Sequence, residues 1–156
     1  MKQSRRTVLQ AGAGAGLYDA LVAVGLLEPG TASAAEFDRA AFQSQGIADT
    51  LKALGAADAT ESGDVIITSP DIAENGAVVP VGVRSSLPGT EMLALLVEKN
   101  PNALAGSYEI VDGAEPDVNM RIKMGQSSDV VAVAKAGGKY YMARKEIKVT
   151  LGGCGG

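Results

Sequence analysis

Histidine and tryptophan are absent from this chain, cysteine occurs once, and aromatic residues make up 4% of its 156 positions. Without histidine, the commonest general base and the commonest metal ligand are missing. With one thiol and no imidazole, no zinc, haem-attachment or iron–sulfur pattern can be assembled. A Ser-His-Asp or Cys-His nucleophilic site built from this chain alone is excluded for the same reason. Two Phe and four Tyr leave the core to Val, Ile, Leu, Met and Ala. The net charge of -4 argues against nucleic acid, which selects basic surfaces. We therefore expect no cofactor, no metal and no nucleic acid on this chain. Its length suits one domain.

An uninterrupted apolar run long enough for a membrane span is also lacking. The first segment, Met1 to Gln10, carries the pair Arg5-Arg6 and is followed by a weakly apolar, Gly/Ala-rich stretch from Ala11 to Leu27. A span needs roughly 20 apolar residues without charge, and Asp19 breaks this one. After Glu28-Pro29-Gly30 comes the small-residue run Thr31-Ala32-Ser33-Ala34-Ala35. A basic region, an apolar region and an A-x-A site describe an export signal, with cleavage expected after Ala34. Ser4-Arg5-Arg6-Thr7-Val8-Leu9 has the form of a twin-arginine signal, an address read by a receptor rather than an anchor. Val8 stands where phenylalanine is usual. Cleavage would remove Lys2, Arg5 and Arg6 against Asp19 and Glu28, so the mature chain is more acidic still. Gly12, Gly14 and Gly16 are not a phosphate loop, because no strand precedes them and no Gly-Lys-Ser/Thr follows.

The mature chain opens with apolar residues at near-helical spacing, Phe37, Ala40, Ala41, Ile47, Leu51 and Leu54. This predicts a helix from Phe37 to Leu54, interrupted at Gly46 and stopped at Gly55, packing on the domain edge. From Val65 the pattern becomes short β-like runs. Val65–Thr68 ends before Ser69-Pro70, and Val78–Arg84 follows the turn signal Glu74-Asn75-Gly76. Pro80 in that run predicts an edge strand or a bulge. Met92–Glu98 is a third run. Val118–Met124 alternates apolar and polar residues, as one buried and one wet face require. Val130–Ala136 and Lys139–Arg144 flank Gly137-Gly138, a two-residue hairpin turn, and Glu146–Leu151 continues the last run. Six or seven short strands (about that number) with Gly/Pro/Asn turns predict an antiparallel sandwich. Met120, Met124 and Met142 are read as core rather than as copper or haem ligands.

The chain closes on Leu151-Gly152-Gly153-Cys154-Gly155-Gly156. Gly152, Gly153, Gly155 and Gly156 restrict the backbone little and give the sulfur nothing to pack against. Three residue steps of about 3.4 Å carry the thiol ~10 Å beyond Leu151. A free cysteine titrates near pKa 8.5, so roughly 3% is thiolate at pH 7, and the terminal carboxylate nearby disfavours ionisation. Activation must therefore come from a partner. Exported proteins usually pair their cysteines, so a lone one points to intermolecular pairing or to a working thiol. Lys135, Lys139, Arg144, Lys145 and Lys148 precede the arm, on strands expected beside its base. They are read as a solvated sheet face or guarded edge, with attraction of anionic adducts or acidic partners as the other reading.

These residues resemble the SoxY family, the sulfur carriers of periplasmic thiosulfate oxidation. The likeness lies in the Gly152-Gly153-Cys154-Gly155-Gly156 terminus, the preceding Lys148-Val149-Thr150-Leu151 strand, the segment from Ser69 to Val81 (SPDIAENGAVVPV) and the twin-arginine leader. The resemblance implies a mainly β, immunoglobulin-like antiparallel β-sandwich with an N-terminal helix and a flexible C-terminal arm. It implies a signal peptide over 1–34, a sandwich domain over 35–150 and a swinging arm over 151–156. It implies a periplasmic heterodimer with SoxZ, and Cys154 as the covalent attachment point for substrate. The haem enzyme SoxXA would couple thiosulfate to Cys154, and the hydrolase SoxB would release sulfate. In some organisms a molybdenum–haem sulfane dehydrogenase would oxidise the remaining sulfur. On this reading the chain is no enzyme. The four glycines serve clearance and flexibility.

Three rivals differ in chemistry. A ubiquitin-like carrier would hold sulfur as a thiocarboxylate on Gly156, a route that needs ATP. A thiol oxidoreductase is disfavoured by the lack of C-x-x-C and histidine. A structural exported sandwich would use Cys154 only to dimerise through a disulfide.

Overall fold

The computed structural model describes residues 39–150. The leader expected over 1–34, Phe37 and the arm over 151–156 lie outside the described residues. Among the described residues, two short helices precede nine strands. The helices are α1 (Arg39–Gln43) and α2 (Gly46–Ala53). The strands are β1 (Thr60–Glu61), β2 (Val65–Thr68), β3 (Ile72–Ala73), β4 (Val79–Ser85), β5 (Thr90–Val97), β6 (Leu104–Glu109), β7 (Asp117–Ile122), β8 (Ser128–Ala136) and β9 (Lys139–Val149). No helix among them is long and apolar enough to cross a membrane.

The expected single helix is thus two, because Gly46 adopts a positive φ of 73° that a continuing helix does not permit. Ser44 caps the first piece locally, its hydroxyl donating to the Ala40 carbonyl at 2.7 Å. Gly55, also at positive φ, ends the second piece as expected. Ile47, Leu51 and Leu54, three and four residues apart, face one apolar cluster, the spacing that puts side chains on one helical stripe.

The strands form two sheets. The larger is six-stranded, in the order β1-β9-β8-β5-β6 with β3 also paired to β9. The smaller has the order β2-β4-β7. Between them Leu93, Leu95 and Val97 of β5 and Val130, Ala132 and Ala134 of β8 meet Val79, Val81 and Val83 of β4 in one core. The intervening Ala94, Leu96, Val131 and Val133 face the opposite way and pack with Phe42, Ile47 and Leu51 of the helices. The helices therefore cover the outer face of the larger sheet and do not sit at the domain edge. β5 and β8 are buried on both faces, which explains their unbroken apolar runs; a strand with one wet face alternates instead. β7 is such a strand, with Val118, Met120 and Ile122 inward and Asp117, Asn119 and Arg121 exposed. Of the methionines read as core, Met124 is fully buried in the inter-sheet core and Met120 is partly buried against it. Met142 packs in the helix-side cluster.

The β8–β9 hairpin turns on Gly137 and Gly138, at φ 56° and 73°, with Ala136 opposite Lys139. Positive φ at both central residues is the two-residue turn that the Gly-Gly pair predicts. Three features differ from expectation. β4 lies at the centre of its sheet, not at an edge. Pro80 fits there because β2 ends at Thr68 opposite Gly82, leaving no strand beside Pro80 on that side, while β7 pairs along the other. β6 has no β-branched residue in its sequence LAGSYE and is held by pairing to β5. Finally, the sheet is not wholly antiparallel, because β1 and β3 pair parallel to β9.

Candidate arm root

Cys154 and Gly152, Gly153, Gly155 and Gly156 lie outside the described residues; the structure describes the strand that leads to them. Ile147 is fully buried in the inter-sheet core, and Val149 packs partly against it. This alternation seats the end of β9 by apolar burial, worth about 1.5–3 kcal/mol for a fully buried isoleucine. The last pair with β8 is Ser128 opposite Ile147, so Lys148, Val149 and Thr150 run beyond the β8 ladder, with β3 pairing Lys148 and Val149 on the other side. Their backbone bonds are made elsewhere, as backbone groups leaving a sheet require.

One set comes from Ser127. Its hydroxyl accepts a hydrogen bond from the Val149 N–H at 2.9 Å. The opposite edge is covered by residues 71–74. The Lys148 N–H donates to the Asp71 carbonyl at 2.9 Å, and the Thr150 N–H to the Ala73 carbonyl at 3.1 Å. The Thr150 hydroxyl donates to the Glu74 carbonyl at 2.9 Å. Lys145 grips the same strap farther back, donating to the Ser69 carbonyl at 2.8 Å with its ammonium 3.0 Å from the Asp71 carboxylate. Beyond the strap Asn75 forms an Asx turn, its side-chain oxygen accepting from the Ala77 N–H at 2.8 Å. Gly76 then accepts from the Met124 N–H at 2.7 Å, and the chain enters β4. The first half of the segment Ser69–Val81, singled out in sequence, therefore lies along the end of β9.

The five basic residues do not form one group there. Lys135 lies opposite Tyr140 and Lys139 next to the hairpin turn, at the far end of β9 from Val149. Lys135 pairs with Glu91 at 3.1 Å. The Glu91 hydrogen bond, then its charge and that of Tyr140, hold the Lys135 ammonium above its ordinary pKa of 10.5. Arg144 sits 3.0 Å from Asp129 and 3.9 Å from Glu98. Neutralised in this way, Lys135, Arg144 and Lys145 serve the sheet more than a field at the arm, which agrees with the solvated-face reading. The expectation that all five stand beside the arm's base is corrected: β9 is eleven residues long, so its two ends lie about 33 Å apart.

Among the described residues no three His, Cys, Asp or Glu side chains gather in a metal-binding group. A shallow cleft of about 480 Å³ runs over the outer face of the smaller sheet, lined by Thr68, Pro70, Pro80, Asn119 and Arg121. The sequence reading missed Ser127, Asp71 and Thr150 as root contacts. The likeness of Ser69–Val81 and of Lys148–Leu151 to a family pointed near Asp71 and Thr150 but assigned no contact, and nothing pointed to Ser127.

Comparison with known proteins bears on this arrangement. No curated protein matches the chain in sequence. Among solved structures, the sulfur carrier protein SoxY from Chlorobium limicola f. thiosulfatophilum is 34% identical, with a TM-score of 0.63 over 72% of this chain and 97% of that one. A superoxide reductase (neelaredoxin) from Ignicoccus hospitalis, 23% identical with a TM-score of 0.50 over 57% of this chain and 82% of that one, shares the fold alone. The family of sulfur oxidation protein SoxY matches residues 51–154, a span that takes in the sandwich, its strap and Cys154. The chain belongs to the SoxY family of sulfur oxidation proteins.

Proposed function

We propose that this protein is a covalent carrier of sulfur intermediates in thiosulfate oxidation, holding its substrate on Cys154 and presenting it to partner enzymes. The observation that carries this reading is the extent of the family match, which runs to residue 154 and so includes the lone thiol. In the loading step the Cys154 thiol and thiosulfate form an S–S bond. The thiol proton is released and two electrons leave, which the haem enzyme SoxXA would pass one at a time to an external electron acceptor. The product is a cysteine S-thiosulfonate. In the next step water attacks the sulfone sulfur, the S–S bond to that sulfur breaks, and sulfate and a proton leave with SoxB as catalyst. The persulfide stays on Cys154 for a sulfane dehydrogenase where one is present.

A tether suits this chemistry. The adducts are reactive anions, and covalent attachment keeps each one at a high effective concentration at the next active site. The glycines around Cys154 let the arm enter a narrow channel. The chain has no imidazole to activate the thiol and acts as a carrier, in a heterodimer with SoxZ, in the periplasm after export by the twin-arginine route.

The test is intact mass after incubation with thiosulfate and the loading enzyme. A sulfur-oxyanion adduct on Cys154 supports the carrier. An adduct that persists in Cys154→Ser sinks it.

A further inference from the structure

The last residues of β9 are clamped from both sides by groups that the proposed cycle does not use. Beyond the final β8 pair at Ile147, the only sheet pairing left to the chain among the described residues is the two-residue β3, Ile72 opposite Lys148 and Ala73 opposite Val149, too short to hold a strand end by itself; side chains add to it. The Ser127 hydroxyl takes the Val149 N–H at 2.9 Å. The Thr150 hydroxyl holds the Glu74 carbonyl at 2.9 Å. Lys145 secures the strap behind it, through the Ser69 carbonyl at 2.8 Å and the Asp71 carboxylate at 3.0 Å. We infer that Ser127, Thr150 and Lys145 are positioning residues that aim the arm, fixing the point from which residue 151 leaves the fold. The inference rests on the carrier reading above.

The size of the effect follows from chain statistics. A free tether counted from Thr150 to Cys154 has a root-mean-square reach of about 11 Å, and one counted from Ile147 about 15 Å. Releasing the clamp therefore dilutes the thiol at any fixed point near the root by about two- to threefold, since effective concentration falls as the −3/2 power of tether length. Loss of direction adds to this, because a clamped root fixes the direction in which the chain leaves Thr150 and a frayed one does not. The chemistry at the seated thiol is untouched, so the change belongs in KM for the carrier and not in kcat.

The experiment uses the full mature chain as its heterodimer. Ser127→Ala and Thr150→Val are compared singly and together with wild type and with Thr150→Ser, which keeps the hydroxyl. Amide hydrogen exchange at residues 148–150 reports the clamp. Steady-state loading of thiosulfate by the haem enzyme reports aiming. Alkylation of Cys154 by iodoacetamide reports the bare thiol. The expected result is faster exchange at 148–150, a KM for the carrier raised about two- to threefold at unchanged kcat, an unchanged alkylation rate, and wild-type behaviour in Thr150→Ser. Faster exchange with an unchanged KM overturns the inference, as does unchanged exchange in the double variant. The carrier reading fails separately, by wild type acquiring no adduct at all.

Discussion

The Thr150 hydroxyl donates to the carbonyl oxygen of Glu74 at 2.9 Å, joining the end of the last strand to a segment 76 residues earlier in the chain. The bond ties together two of the stretches in which the sequence resembles the family. One is the segment from Ser69 to Val81, and the other is the strand that ends at the Gly-Gly-Cys-Gly-Gly terminus. A rigid root and a glycine-flanked thiol are complementary parts of one carrier, since a tether is useful only if its origin is known to the partner.

Cys154→Ser is expected to abolish loading while leaving the fold intact. Cys154 follows the last clamped residue, Thr150, and among the described residues the two cores are built from β2 and β4–β9 and the helices, with Val149 the last side chain packed against them. Thermal unfolding followed by circular dichroism is expected to match wild type, with no thiosulfate-derived mass gained. A lowered melting temperature would show that the terminus takes part in the core.

Replacing Gly153 with tryptophan is expected to slow loading by the partner enzyme without changing alkylation of Cys154 by a small reagent. The indole fills the clearance that glycine leaves, and a displacement of about 1 Å at a reacting centre costs up to 10²-fold in rate. Equal loading rates in the two proteins would remove the clearance role.

Leu95 is fully buried at the centre of the inter-sheet core. Leu95→Ala is expected to cost about 2–5 kcal/mol in urea unfolding, from lost transfer energy and the cavity left behind. Ile66→Ala, on an outer face where the side chain is 45% exposed, is expected to stay within about 0.5 kcal/mol of wild type. Similar costs at the two sites would contradict the assignment of the core.

Gly82 lies against β7 so closely that an added Cβ would sit 2.6 Å from the Asn119 side-chain oxygen. Asn119 also donates to the Asp117 carboxylate at 3.1 Å, so moving it breaks that bond. Gly82→Ala is expected to destabilise by about 1 kcal/mol, and by less in an Asn119→Ala background. Additive losses in the double variant would show that the two positions do not meet.

The Lys135–Glu91 pair gives a pH dependence. Lys135 has a raised folded-state pKa, so its contribution is fully present below its ordinary value of 10.5 and is lost as pH rises through the folded value. The stability difference between wild type and Lys135→Met, read by urea unfolding, is expected to hold below pH 10.5 and to shrink as pH rises above it. A difference that grows over that range would reverse the sign.

Much of the fold was legible because its signals are local. Gly137-Gly138 determines a hairpin by the φ values that glycine alone adopts freely. The alternation of β7 follows from one wet face. The missing histidines and the lone Cys154 bounded the chemistry before any fold was known. Other features carried no local signal. β1 and β3 are two residues each, too short for any periodicity, and exist because β9 offers them an edge. β6 lacks β-branched residues and is held by β5. Pro80 read as an edge signal, yet β4 is central, because the length of β2 and not the identity of Pro80 sets which neighbours are present.

The sequence by itself determined the thiol, its glycine surroundings and the apolar runs of β5 and β8, all properties of residues and their immediate neighbours. Only the tertiary structure decided that Lys145 holds a strap, that Lys135 and Lys139 stand at the far end of β9 from the arm, and that Ser127 and Thr150 bond at its root. The physical reason is sequence distance. Each of these facts depends on which backbone lies beside β9, and that is set by packing two sheets and two helices together, not by any residue's own preference.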